Sequence, residues 1–349
     1  MQPDYQYNCQ CHAPASPGRR RLLFGAAATA VASTVPFAAR SAQGAENFID
    51  MHHHFEPSGR NNSGDAWTIR AAVEELERNS VTAMGWSGPI YDTDVQAGRK
   101  KAREFNEWGR RIGVDHPGRF GLFASLPMND VEGALAEIAY AYDVLEADGV
   151  GLASNYGDAW LGDTKFKPIF HELNRRKAVV YVHPFSAPCC TASNLSYLKN
   201  PLSAPWMEFP VNTARTILSL WGSRTTQDMP DIRFVFSHGG GVMPMLLGRI
   251  SGFTGWKEVG PQGLKSLFPD GIYAEFAKLY FECAQAYAPE TITMLRSIVP
   301  ASHLLYGSDY SYFPVSHSVE LFGKLDLPDT LRRMIKRENA AALLPRWKA

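Results

Sequence analysis
Eight short runs rich in β-branched and aromatic residues recur along the chain, bounded by turn residues and mostly separated by helical patterns. They cover residues 47–51, 81–86, 120–126, 149–153, 179–183, 232–238, 279–283 and 303–307. Between them, 69–79 carries Ile69, Val73 and Leu76 at helical spacing, and Asp130 stands ready to cap a helix over 131–146 with Leu135, Ile138, Tyr142 and Leu145 on one face. Strands that are nearly continuously apolar and alternate with helices predict the α/β class, a parallel sheet covered by helices. Eight such units are the number that closes a (β/α)8 TIM barrel. An open doubly wound sheet is the alternative, but no Gly-x-Gly-x-x-Gly follows the first strand. Gly239-Gly240-Gly241 comes after the sixth and lacks that spacing, which speaks against a dinucleotide site.

Composition narrows the class and divides the chain. With 349 residues, 45% hydrophobic and 20% charged, the chain is neither disordered nor a disulfide framework. Its 35 basic and 35 acidic side chains balance, which argues against a nucleic-acid partner. Residues 1–45 hold four of the arginines and one aspartate, so the remainder is mildly acidic. Arg19, Arg20 and Arg21 stand directly before a weakly apolar run over 22–35, too short to span a bilayer. We therefore expect 1–45 to be a twin-arginine-type export signal, cut after 39–41 or 42–44, and 46–349 to be one barrel domain in the periplasm or beyond. The competing reading is a basic tail on a cytoplasmic protein. Cys9, Cys11 and His12 lie ahead of the arginines, resemble a metal clip only loosely and would be lost on cleavage. Cys189, Cys190 and Cys283 imply no disulfide framework, and Cys283 reads as a small buried residue. No later segment reaches eighteen uninterrupted apolar residues, so no membrane partner is expected.

The polar residues stand where a barrel would use them. The first strand ends in His52-His53-His54, and alternation turns His52 and His54 one way and His53 the other. The fifth run ends in His183, the sixth in His238, and the eighth in Asp309. In a barrel these ends share one rim, the face where active sites form. Four imidazoles and a carboxylate gathered there suit a borderline divalent cation.

These residues, as Asp50-x-His52-x-His54, His183, His238 and Asp309, resemble the amidohydrolase superfamily in its amidohydrolase-related branch, which includes aminocarboxymuconate-semialdehyde decarboxylase. Supporting segments are Phe209-Pro210-Val211-Asn212-Thr213-Ala214, Ser237 through Pro244, Gly248-Arg249-Ile250, Tyr306 through Tyr310, and Glu338-Asn339-Ala340. Trp160-Leu161-Gly162-Asp163 and the stretch from His183-Pro184 to Cys189-Cys190 look most like 6-methylsalicylate decarboxylase-type members. The resemblance implies a distorted (β/α)8 barrel of metal-dependent hydrolase type, with His52, His54, His183 and Asp309 as ligands and His238 beside the metal. Binuclear members carry a lysine on the fourth strand; 149–153 has none, which favours one divalent ion, zinc first and manganese second. Arg249 matches an arginine that contacts substrate in relatives, sometimes across a dimer interface, and so points to a homodimer. The second strand region, 81–90, lacks another arginine found in related decarboxylases, which argues against the acyclic aminocarboxymuconate substrate.

Two chemistries fit this site. In the first, a non-oxidative decarboxylase of a small aromatic or unsaturated carboxylic acid, the cation chelates the carboxylate and a neighbouring hydroxyl, Asp309 protonates the carbon and His238 handles the phenol or water proton. In the second, metal-activated water attacks a lactone, ester or amide, with the same two residues moving protons. A catalytically silent metal binder would leave His238 without a role. Trp86, Trp160, Phe185, Trp206 and Tyr312 are the aromatic side chains placed to sandwich a ring.

Overall fold
The computed structural model describes residues 47–348 apart from 62–63, 191–203 and 258–259. The expected export signal and its cysteines lie outside the described residues. Ten strands are present among the described residues: β1 (Phe48–His54), β2 (Val81–Trp86), β3 (Phe120–Ser125), β4 (Gly149–Ala153), β5 (Asn155–Tyr156), β6 (Ala159–Trp160), β7 (Val179–His183), β8 (Arg233–Phe236), β9 (Tyr280–Glu282) and β10 (Leu304–Leu305). Eight form one parallel sheet in the order β1-β2-β3-β4-β7-β8-β9-β10, while β5 and β6 make a small antiparallel hairpin beyond β4. The Met51 N–H donates to the Tyr306 carbonyl at 2.9 Å and the Asp309 N–H to that of His52 at 2.9 Å, which brings the last strand back against the first. The expected (β/α)8 barrel is what these residues build.

Local chemistry explains the element boundaries. The helix Ile69–Asn79 starts at Thr68, whose hydroxyl accepts from the Ala71 N–H. The 21-residue helix Val95–Asp115 starts at Asp94, whose carboxylate accepts from the Ala97 N–H. Asp130 stands at the head of Val131–Asp143 as expected, but its carboxylate is taken by the Arg99 guanidinium, and the helix ends three residues short of the sequence reading. The runs expected over 232–238 and 303–307 leave the ladder early. Beyond the observed strand ends, His238 and Asp309 adopt left-handed backbone, with φ of 55° and 61°, and such residues cannot continue a strand. Both turns fall at the end of the barrel where the site forms.

Apolar packing fills two zones. Ile49, Met84, Phe123, Tyr181, Val235 and Leu305 pack together inside the barrel. A larger core, including Ile138, Phe170, Leu220, Phe281 and Leu295, lies between the sheet and the surrounding helices. The opening opposite the site is closed by the chain's own C-terminal segment: Ala340, Ala341 and Leu344 are buried against the interior cluster, with Trp347 beside them. No helix among the described residues is long and apolar enough to cross a membrane.

Candidate metal centre
Parallel register carries four ligand-type side chains to one end of the barrel. His183 ends β7 opposite Ala153 of β4, and the register irregularity between Asp50 and His53 bends the end of β1. His52, His54, His183 and Asp309 each offer one donor atom, and these atoms lie within 4.8 Å of one another, all on buried residues. The Nε2 atoms of His52 and His54 are 3.1 Å apart, and each is 3.2 Å from Asp309 Oδ1. Imidazole lone pairs at that spacing repel unless a proton or cation lies among them. Three imidazoles and a carboxylate with this convergence are a donor set that could hold one divalent ion. Gly151 stands in the middle of β4, and a Cβ there would meet the Trp86 indole at 2.4 Å. The fourth strand thus offers space to an aromatic ring and has no lysine to bridge a second ion.

The electrostatics follow from burial. Burial works against a charge on His52, but the Glu282 and Asp309 carboxylates outweigh it and hold His52 up at about 10 without a cation. Burial, reinforced by the neighbouring imidazoles, keeps His183 well below the ordinary histidine range, and burial likewise lowers His54. Burial would raise Asp309, yet His52 and the hydrogen bonds from His52 and His54 keep it a carboxylate. A cation entering this cluster therefore meets neutral His54 and His183 and competes with one proton on His52.

His238 stands next to the cluster, its ring centroid 5.0 Å from His52 and 5.9 Å from His183. Its Nδ1–H donates to the Ala284 carbonyl at 2.9 Å, which leaves Nε2 free to face the site. His53 points away as alternation requires and stacks on Tyr310 at 4.8 Å. Among the aromatic candidates, Tyr312 packs on His54 at 5.0 Å, Trp86 on His183 at 5.9 Å and Phe185 on His183 at 6.0 Å. Trp160 sits in the hairpin and Trp206 is 69% exposed. Arg249 lies on the exposed face of the helix Met243–Ser251, its guanidinium 5.3 Å from the Phe253 ring.

Two further carboxylates support the site, Asp50 of the Asp-x-His-x-His motif and Glu282, which the sequence does not single out. Asp50 is fully buried and accepts from the Ser308 N–H at 2.8 Å, the Ser308 hydroxyl and the His52 N–H at 3.0 Å. It thereby ties the end of β1 to the turn that carries Asp309. Glu282, also fully buried, accepts from His52 Nδ1–H at 2.7 Å and from the His238 N–H at 3.0 Å. Asp50 is visible in the Asp-x-His-x-His spacing. Glu282 interrupts the apolar run Tyr280-Phe281-Glu282-Cys283, and a charge inside a strand of a buried sheet is the one signal that could have found it.

Comparison with known proteins follows the same line. The family model described as amidohydrolase matches residues 49–346. The chain is 32% identical to decarboxylase yanB of Aspergillus niger over 86% of this chain and 88% of that protein. It is 31% identical to the 6-methylsalicylic acid decarboxylase of Penicillium expansum over 86% of this chain and 97% of the relative. A dihydroxybenzoic acid decarboxylase from Polaromonas sp. JS666, solved with manganese and the inhibitor 2-nitroresorcinol, superposes with a TM-score of 0.73 at 20% identity, covering 87% of this chain and 98% of its own.

Proposed function
The chain belongs to the amidohydrolase family, and from that premise we propose that it is a metal-dependent carboxy-lyase removing carbon dioxide, without oxidation, from a small hydroxylated aromatic acid of the 6-methylsalicylate or dihydroxybenzoate type. The observation that carries this is the gathering of His52, His54, His183 and Asp309 around one point, with His238 and the rings of Phe185 and Tyr312 beside it. The decarboxylase names of the relatives at 31–32% identity support the reaction class.

In this reading His52, His54, His183 and Asp309 hold one divalent ion. When bound, that ion supplies Lewis-acid chemistry, neutralising the substrate carboxylate and a neighbouring hydroxyl. We place zinc first because the donors are three nitrogens and one oxygen, and manganese second because the Polaromonas structure holds it. Metal analysis of the purified protein separates the two.

The protein's own groups handle the proton. Asp309 rests as a carboxylate, so the proton it delivers to the ring carbon must first be taken from the substrate, and the acidic group of this substrate class is the hydroxyl beside the carboxylate. His238, with Nδ1 committed to Ala284, has Nε2 left to take a proton from solvent and pass it to the phenolate oxygen after carbon dioxide departs. Phe185 and Tyr312 flank the ring of the substrate, while buried Trp86 supports His183 from behind. Arg249, exposed on its own protomer, acts on substrate only if a second copy brings it there. The proposed homodimer is checked by sedimentation, and the arginine by a rise in KM in Arg249→Ala. Export by the twin-arginine route is proposed from Arg19-Arg20-Arg21 and is tested by replacing the arginine pair with lysines and following the protein across the membrane.

The direct test is to supply the metal-loaded protein with 6-methylsalicylate and 2,6-dihydroxybenzoate and follow carbon dioxide together with the phenolic product. Equal yields of the two support the reading. Retained carboxylate with every hydroxybenzoate overturns it.

A further inference from the structure
Glu282 meets three N–H donors with two oxygens. Oε1 accepts from His52 Nδ1–H at 2.7 Å and from the His238 N–H at 3.0 Å, and Oε2 accepts from the Ala284 N–H at 2.7 Å. Ala284 in turn gives its carbonyl to His238 Nδ1 at 2.9 Å. One buried carboxylate and the residue two places beyond it therefore hold the ring of His52 and both the backbone and ring of His238. With each Nδ1 occupied, both histidines present Nε2 to the cluster.

We infer that Glu282 is a positioning residue that sets the affinity of the site for its divalent ion and, through the same oxygen, aims His238, so that ion retention and base placement are one coupled property of this chain. The inference rests on the metal reading proposed above. A purely structural acceptor would be replaceable by its neutral isostere, and here it is not. Glutamine has one acceptor oxygen, so its amide N–H2 must point either at the Ala284 N–H or at the two donors shared by Oε1. An anion on the far side of a ligating imidazole also raises that ligand's basicity, which a neutral amide does not.

The structure reserves room for this carboxylate. A Cβ on Gly307 would come within 2.0 Å of Glu282 Oε2. Gly307 itself is held on both sides, its N–H donating to the Tyr287 hydroxyl at 2.9 Å and its carbonyl accepting from that hydroxyl at 2.9 Å. Gly307→Ala therefore pushes on Glu282, and more weakly on His52, whose Cβ would lie 3.1 Å away, without deleting any functional group.

The test uses the full chain, with Zn²⁺ and Co²⁺ affinity measured by chelator competition and kcat/KM recorded against pH for the loaded protein. We expect Glu282→Gln to weaken ion binding by about 10- to 100-fold and, even at saturating metal, to displace the pH profile of kcat/KM. Glu282→Asp, which keeps the charge, retains more affinity than the glutamine variant. Gly307→Ala moves both readouts in the same direction as Glu282→Gln, and should the glutamine variant fail to fold, parental values in both Glu282→Asp and Gly307→Ala overturn the role of Glu282. Parental affinity and an unshifted pH profile in Glu282→Gln and Gly307→Ala overturn the role of Glu282 while leaving the metal reading intact. Failure of the unsubstituted chain to bind any divalent ion overturns both.

Discussion

The two ends of the barrel solve the same problem differently. Each buries carboxylates, which is costly unless every one is paired. At the end closed by the C-terminal segment, Asp148 is answered within the chain: Arg346 contacts Oδ2 at 2.5 Å, the Trp347 indole N–H donates to Oδ1 at 2.8 Å and the Leu122 N–H donates to Oδ2 at 2.9 Å. Leu344 and Ala341 then seal the apolar interior beneath it. At the other end Asp50, Glu282 and Asp309 are buried among imidazoles, with no arginine or lysine paired to them in the described ion pairs. One end is electrostatically complete within the chain, whereas the other is completed, in the function proposed above, by a divalent cation. That difference separates the part of the molecule that keeps the fold from the part that does chemistry.

The sharpest way to break this division is to change one residue at each end and ask which property moves. Asp309→Asn should lower kcat by about 10³-fold, within the span of a lost proton-transfer group, while the circular dichroism spectrum stays native. Leu344→Ala should do the reverse. Removing a side chain that is 2% exposed from the closed end costs about 3 kcal/mol in denaturant unfolding, with kcat/KM and metal affinity of the folded protein unchanged. A smaller effect follows from chelation. An ion present at 100 times its Kd contributes about 2.7 kcal/mol of stability, so stripping it lowers the melting temperature, and that loss adds to the Leu344→Ala loss because the two ends are independent.

The last expected effect, the smallest when taken per pH unit, belongs to the open end alone. His52 is held up at about 10 in the metal-free site, because Glu282 and Asp309 overcome its burial. A histidine raised on folding contributes stability that is complete below its ordinary value near 6.5 and is lost as pH rises through about 10. Chelated protein should therefore lose up to about 1.4 kcal/mol per pH unit above neutrality, and metal-loaded protein should not. Equal slopes in thermal melts of the two forms would remove His52 from the account.

How much of this could be read from sequence follows the same division. The strands were legible because a parallel sheet buried on both faces leaves apolar runs such as Val179-Val180-Tyr181-Val182, which no surface element would carry. The ligand-type residues were legible because barrel topology sends strand ends to one rim, so His183, His238 and Asp309 needed only their positions. Glu282 and Asp148 were not, because each acts mainly through distant partners, as far as 230 and 198 residues away, that have no fixed spacing from it. The early ends of β8 and β10 were hidden for a related reason. Left-handed backbone at His238 and Asp309 is imposed by the site and has no compositional mark in the way a glycine would have.

What leaves the substrate separates decarboxylation from hydrolysis. Carboxyl-labelled 6-methylsalicylate and 2,6-dihydroxybenzoate incubated with metal-loaded protein should release labelled carbon dioxide in step with the corresponding phenol, and chelation or Asp309→Asn should stop both. Label retained in the acid, with lactones or esters hydrolysed by the same preparation, would contradict the carboxy-lyase and assign the site to metal-activated water instead.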